Sequence, residues 1–239
     1  MKKNPAKFIP LIILFALAIV FTAAFSGPKI LTAYIETGIG SCSKIPILCK
    51  MPTQEIINPQ IDKDYTSTLI PYKFSKLSIA APKGFAVIQE LEKKLYYKKR
   101  LNRHKESVLY AFHQEPGYFT KLFPQVKKIG INNNYDFIKQ LAFARIDGIK
   151  NIADAFFVIL KSIFTPDIGD QNKVVMASFV MPGRRGFISY NLFDKEYYFD
   201  CDIVMDSGDF FKVYVRDKGD KGTRLELKEV FAIISTLNK

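Results

Sequence analysis

Residues 174–216 read VVMASFVMPGRRGFISYNLFDKEYYFDCDIVMDSGDFFKVYVR, and this stretch decides the fold. Apolar and polar side chains alternate in four segments, at 174–181, 187–192, 196–205 and 210–216, which predicts four β-strands. The connections are short and hold Pro182-Gly183, Asn191 and Ser207-Gly208. Short links between consecutive strands predict an antiparallel meander.

More strand patterns lie upstream of the meander. Residues 74–80 and 107–113 alternate in the same way, and even spacing of apolar residues continues through 85–101. The segment 90–103 is also rich in helix formers, so both structures stay open there, with strand preferred.

Helical spacing appears in two places. Residues 135–164 predict two helices separated at Asp147-Gly148, and residues 223–237 predict a closing helix. The residues of that closing helix expected to face the sheet are Leu227, Val230, Ile234 and Leu237. The order strands, helices, strands, helix predicts an α+β fold, an antiparallel sheet with packed helices, which an α/β/α sandwich would satisfy.

The N-terminus carries a targeting signal. Residues 8–25 are an uncharged run, FIPLIILFALAIVFTAAF, and three lysines precede it. Its 18 residues favour a spanning signal-anchor in the inner membrane, with the N-terminus in the cytoplasm and the rest of the chain on the periplasmic side. The alternative is cleavage near Ser26 and secretion to the periplasm, because small residues stand at Ala24 and Ser26.

This segment sets the expected domain organisation. Residues 1–26 are the signal-anchor or signal peptide, 27–72 a proline-containing linker, and 73–239 a soluble domain. Export to an oxidising compartment predicts a disulfide between Cys42 and Cys49, which flank a short loop. Cys201 shares one strand face with apolar residues and is expected to be a buried free thiol.

Two short pieces of the chain resemble a known family. Residues Leu77-Ser-Ile-Ala-Ala-Pro-Lys-Gly-Phe85 and Ile233-Ile-Ser-Thr-Leu237 look like the PsbP-like family of small exported α/β/α domains. The resemblance implies a binding or assembly-factor domain. It implies no catalytic motif and carries no residue role into this chain.

The chain is basic, with a formal net charge of +12. Seven of the thirteen residues at 93–105 are lysine or arginine, and tyrosines interrupt them. A solvated hairpin explains this pattern, and so does a surface for anionic lipid, glycan or an acidic envelope protein; export argues against nucleic acid. The candidate residues are Lys93, Lys94, Tyr96, Lys98, Lys99, Arg100, Arg103 and Lys105, with Arg184 and Arg185 as an extension.

One helix is apolar enough to be a second candidate surface. Its face of helical spacing is formed by Ile149, Ile152, Phe156, Leu160 and Ile163. Packing in the core explains this face, and so does docking to a partner or to a membrane surface if the face is exposed.

No motif for catalysis, for a cofactor or for a metal stands out. His104-x-Glu106 and His113-x-Glu115 lack the further ligands of known zinc patterns. No catalytic, cofactor-binding or metal-binding residue is therefore predicted. The sequence favours a membrane-tethered, non-enzymatic binding or assembly-factor domain outside the cytoplasm. The alternatives are an envelope hydrolase with dispersed residues, His113 and Glu115 first among them, and a peripheral lipid or glycan binder acting through 93–105.

Overall fold

The structure is a computed structural model that describes residues 27–74, 77–91, 94–100, 106–166, 168–220 and 223–238. The predicted anchor at 8–25 and the cleavage site near Ser26 lie outside these residues. Of the helices that are described, none is both long and apolar enough to cross a bilayer. The chain divides into two units, a helical unit of residues 27–50 and 143–165 and a sheet unit of residues 51–142 and 166–238.

The elements follow one another in mixed order. The helices are α1 Pro28–Ile39, α2 Lys63–Thr68, α3 Tyr118–Leu122, α4 Asn134–Phe143, α5 Ile152–Phe164 and α6 Leu227–Ser235. The strands are β1 Gln54–Ile57, β2 Ile70–Phe74, β3 Leu77–Ala81, β4 Ala86–Leu91, β5 Lys94–Arg100, β6 Glu106–Gln114, β7 Val175–Met181, β8 Arg184–Asn191, β9 Tyr197–Met205 and β10 Phe210–Asp217. The α+β class is thereby confirmed, as is the preference for strand over helix at 94–100.

An eight-stranded sheet has the order β1-β7-β8-β9-β10-β6-β5-β4, and β2 pairs with β3 in a second, two-stranded sheet. The predicted meander β7-β8-β9-β10 is confirmed, and each of its strands is antiparallel to the next. Strand β1 differs from its neighbours because it pairs with β7 in the parallel sense.

The core of the sheet unit lies on one face of the large sheet. Alternate residues of β9 and β10, such as Cys201, Val213 and Val215, point to this face because side chains alternate along a strand. Helix α6 packs against them through Val230 and Ile234, as predicted. This helix begins at a capping box in which Glu226 and Glu229 exchange bonds between side chain and backbone.

The opposite face is covered at one end by α3 and α4. Phe119 stacks on Phe137 with 4.3 Å between ring centroids and contacts Phe210 of β10 at 5.0 Å. Asn134 is buried and donates to the carbonyl oxygens of Glu115 and Gly208, 3.0 Å away in each case. These bonds fasten the start of α4 to the ends of β6 and β10.

The stretch 27–72 differs from the linker that the sequence predicts. Residues 51–72 belong to the sheet unit, since β1 extends the sheet and α2 is capped by the Asp62 side chain, which accepts from Tyr65 N at 2.9 Å. Residues 27–50 belong to the helical unit. The pairing of β1 with β7 joins segments about 120 residues apart, and no local pattern signals such a contact.

The helical unit is built from two distant segments. Helices α1 and α5 pack together, and Leu31, Ile35, Phe157 and Val158 are buried. The predicted Cys42–Cys49 disulfide is present, with 5.6 Å between the two Cα atoms. It closes the loop that follows α1.

Candidate binding face of the sheet

A row of tyrosine positions runs across three neighbouring strands, β10, β6 and β5, on the face opposite α6. In the register, Tyr214 of β10 lies beside Tyr110 of β6, and Tyr110 lies beside the position of Tyr96 on β5. Neighbouring strands are about 4.8 Å apart, so side chains in one row are close neighbours. Tyr110 and Tyr214 are half-buried residues.

A lysine with two carboxylates lies next to this row. Lys212 Nζ lies 2.8 Å from Asp200 Oδ1 and 3.1 Å from Asp202 Oδ1. Burial opposes a charge on Lys212, but the two carboxylates outweigh it and raise the pKa of the ammonium. Burial raises the pKa of the Asp200 carboxyl, and Lys212 acts against that rise. The charge of Lys212 is therefore already matched by side chains of the protein.

Arg216 lies on the other side of the tyrosine row. Its neighbours in the register are Val108 on β6 and Tyr198 on β9. Its Nε is buried and has no hydrogen-bond partner among the residues described. Two carboxylates lie nearby, but Glu106 is paired with Lys98, and Glu196 with Lys218 at 2.7 Å. Arg216 is thus a cation beside an aromatic row, with a donor that no described group satisfies.

This combination suits an anionic ligand with a flat or ring-shaped body. Tyrosine rings offer apolar faces with a hydroxyl at one edge, and such rings pack well against other rings. A guanidinium presents donors in a fixed plane that matches carboxylate and phosphate groups. The row and Arg216 can therefore hold a ring and its acidic substituent at the same time.

The residues predicted at 93–105 are placed only in part. Lys98 is paired with Glu106, and the stem of Lys99 runs beside Gly84. Lys94, Tyr96 and Arg100 hold positions in β5. The predicted Lys93, Arg103 and Lys105 lie outside the described residues, as does His104.

Arg184 and Arg185 do not extend that surface. Arg185 lies in register with Val204, at the end of the sheet opposite the paired positions of Arg100 and Glu106. Arg184 donates to the carbonyl of Ile234 near the end of α6, and its side chain is half-buried. Arg185 is exposed and lies over the ring of Tyr135, with 3.7 Å from Cζ to the centroid.

The predicted docking face of α5 is divided between core and solvent. Ile149 and Leu160 are buried in the helical unit. Ile152 and Ile163 are exposed, and Phe156 is half-buried. Ile149 and Leu160 thus pack in the core, and docking through the exposed Ile152 and Ile163 stays a prediction.

His113 is a buried residue with a structural role in the sheet unit. Its side chain is buried, its Nε2 lies 2.8 Å from Asp209 Oδ1, and its ring centroid is 4.9 Å from that of Phe211. Glu115, its predicted partner, is exposed. Within the described part of the chain, no group of three or more His, Cys, Asp and Glu side chains could hold a metal ion.

Cys201 is buried, as predicted. Burial, followed by the charges of Asp200 and Asp202, raises the pKa of its thiol. The thiolate is thus disfavoured, which makes Cys201 a poor nucleophile.

The chain was compared with known protein families and with curated proteins. No family model matches the chain, and no curated protein matches it.

Proposed function

We propose that this chain is a membrane-tethered binding domain outside the cytoplasm, and that it holds an acidic glycan of the cell envelope on the tyrosine row. The observation that carries the proposal is the buried Arg216 Nε beside Tyr110 and Tyr214, without a hydrogen-bond partner among the described residues. Sugar rings pack on tyrosine faces, and an acidic substituent would satisfy the guanidinium.

Two features support the location. The disulfide between Cys42 and Cys49 is of a kind that persists in oxidising compartments. The uncharged run at 8–25 behind three lysines favours an inner-membrane anchor with the N-terminus inside. The resemblance to PsbP-like domains, which implies an exported binding or assembly factor, agrees with both.

Binding is favoured over hydrolysis by the state of His113. A general base must reach the proton that it removes, either directly or through one water molecule. The His113 ring is buried and bonded to Asp209, and Glu115 is not part of that pair. The pair that the hydrolase hypothesis would use first is therefore not assembled.

The test is titration of the purified full-length chain, in detergent, with polygalacturonate as an acidic glycan probe and dextran as a neutral one. Arg216→Gln removes the charge and leaves a side chain of similar length. We expect polygalacturonate to bind about tenfold more weakly to this variant, the loss typical of a hydrogen bond to a charged group. Dextran should bind weakly to both proteins.

The matched control is Arg185→Gln, which removes an equal charge at the other end of the sheet. It should change the affinity little. Equal losses in the two variants would mean diffuse attraction by a basic protein, and full affinity in Arg216→Gln would reject this face as the site.

A further inference from the structure

The outward side of α1 carries an uncharged stripe beside the two charged residues of this helix, the exposed Lys29 and the half-buried Glu36. Leu31 and Ile35 are buried, whereas Ile30 is 62% exposed and Tyr34 39% exposed. Ala33 and Thr37 continue the same stripe and are exposed too. A soluble protein would normally place charged residues on such a side.

Helix α5 has the same property. Ile152, Ile163 and Phe164 are 37%, 46% and 36% exposed. The two charged residues of this helix are both bonded to the main chain: Asp154 accepts from Lys150 N at 2.9 Å, and the buried Lys161 donates to carbonyl oxygens. Two helices that pack together thus both turn apolar side chains outward.

The threonine and serine hydroxyl groups of these helices donate to carbonyl oxygens of their own helix. Thr32 donates to Pro28 O at 2.9 Å, Thr37 to Ala33 O at 2.8 Å and Ser162 to Ile159 O at 2.7 Å. Such bonds let a threonine or serine face an apolar medium without an unsatisfied donor. The outward side is therefore compatible with lipid as well as with water.

Helix α1 lies close in sequence to the uncharged run at 8–25, and this bears on what covers the two apolar stripes. The uncharged run ends at Phe25, and α1 begins three residues later at Pro28. Three residues span at most about 10 Å. If the run lies in the bilayer, α1 begins within that distance of the hydrocarbon edge. The exposed Lys29, Lys44 and Lys150 would then meet the acidic head groups.

We propose that the helical unit rests on the bilayer, with Ile30 and Tyr34 of α1 and Ile152 and Ile163 of α5 inserted among the head groups. The proposal rests on the membrane tether of the proposed function. It adds a second contact with lipid, made by the helical unit. The membrane tether would then include a folded, lipid-bound unit in addition to the anchor.

The chain has no tryptophan, so one substitution introduces one fluorescent reporter. The full-length chain would be reconstituted in vesicles of phosphatidylcholine and phosphatidylglycerol, with and without brominated acyl chains, which quench tryptophan on contact. Ile163→Trp is the main reporter because it lies far from the anchor in sequence. Ile152→Trp reports independently from the start of the same helix. Phe193→Trp is the matched control, since Phe193 is 69% exposed in the sheet unit.

We expect Ile163→Trp and Ile152→Trp to lose most of their emission in brominated vesicles, in high salt as well as in low, while Phe193→Trp keeps its emission. If the chain sediments with the vesicles but the reporters in α5 are not quenched, the helical unit does not insert into the bilayer. The membrane tether of the proposed function would be unaffected by that result. Quenching that disappears in high salt would also overturn the insertion of the helical unit, since charge would then hold the unit. A chain that stays out of the vesicles would overturn the tether itself, and the proposed function with it.

Discussion

Lys161 is the residue whose burial should show most clearly in a measurement. It is 2% exposed, and its Nζ donates to Lys50 O at 2.6 Å and to Ala144 O at 2.9 Å. Burial, aided by the charge of Arg145, lowers the pKa of Lys161 to about 7. The bonds to the two carbonyl groups join the loop behind the disulfide to the segment that leads into α5.

The lowered pKa sets the sign of a pH effect. Between pH 7 and about 10.4, the unfolded chain holds a proton on this lysine that the folded chain has released. The free energy of unfolding should therefore rise with pH in this window, by about 2 kcal/mol between pH 7 and pH 9. Lys161→Met removes this titrating group. Between pH 7 and pH 9, the free energy of unfolding of the wild type should therefore rise by that amount relative to the variant. Urea unfolding followed by circular dichroism measures both values.

The control is Lys150→Met, because Lys150 is an exposed lysine close to the start of α5. The free energy of unfolding of this control should change with pH as that of the wild type does. If the free energy of Lys161→Met also changes with pH as that of the wild type does, Lys161 keeps an ordinary pKa in the folded protein.

Single residues were predictable where their own neighbours in sequence decide their state. The spacing of Cys42 and Cys49 predicts a disulfide bond, and the apolar alternation around Cys201 predicts a buried thiol. The role of Lys161 was not predictable, because its acceptors lie on residues 50 and 144 and come together only in the folded helical unit. Helical periodicity shows a lysine beside an apolar stripe and cannot show what its ammonium binds.

At the scale of elements, one glycine controls how closely two strands approach. An ideal Cβ on Gly186 of β8 would lie 2.0 Å from the backbone oxygen of Asp202 on β9. No real side chain atom fits there, so Gly186→Ala has to push the strands apart. We expect a loss of about 3 kcal/mol or more in the free energy of unfolding, or failure to fold, measured by thermal unfolding and soluble yield.

Gly148→Ala is the comparison, since the nearest atom to its Cβ is 3.7 Å away. That variant should unfold within a few degrees of the wild type. Similar stability of the two alanine variants would mean that β8 and β9 are not as close at Gly186 as described.

The elements themselves were largely predictable, and their long-range pairing was not. Strands β7 to β10 follow from alternation and short turns, which are local properties. The tyrosine row depends on the pairing of β6 with β10, about 100 residues apart. Tyr96 and Tyr110 were visible as strand residues, but only the register puts Tyr214 and Arg216 beside them.

At the scale of the whole chain, sequence order and structural division differ. The sequence predicts an anchor, a linker and one domain in succession. In the structure, residues 143–165 leave the sheet unit and join residues 27–50 in the helical unit. The segment nearest the predicted anchor thereby gains a partner from the middle of the chain. A folded unit, with its own buried residues and a disulfide, takes the place of the expected linker over residues 27–50.

The proposed location of the molecule predicts how many of its cysteines are free thiols in the cell. The chain has three cysteines, of which Cys42 and Cys49 are bonded and Cys201 is free. Cells would be quenched with acid, and their proteins then unfolded in urea and treated with a maleimide. Mass spectrometry should therefore count one labelled thiol per chain without reduction and three labelled thiols after reduction. Cys201→Ser should give none before reduction and two after it. Three labelled thiols without reduction would place the chain in a reducing compartment, because a disulfide closed on export cannot be lost while acid stops thiol exchange.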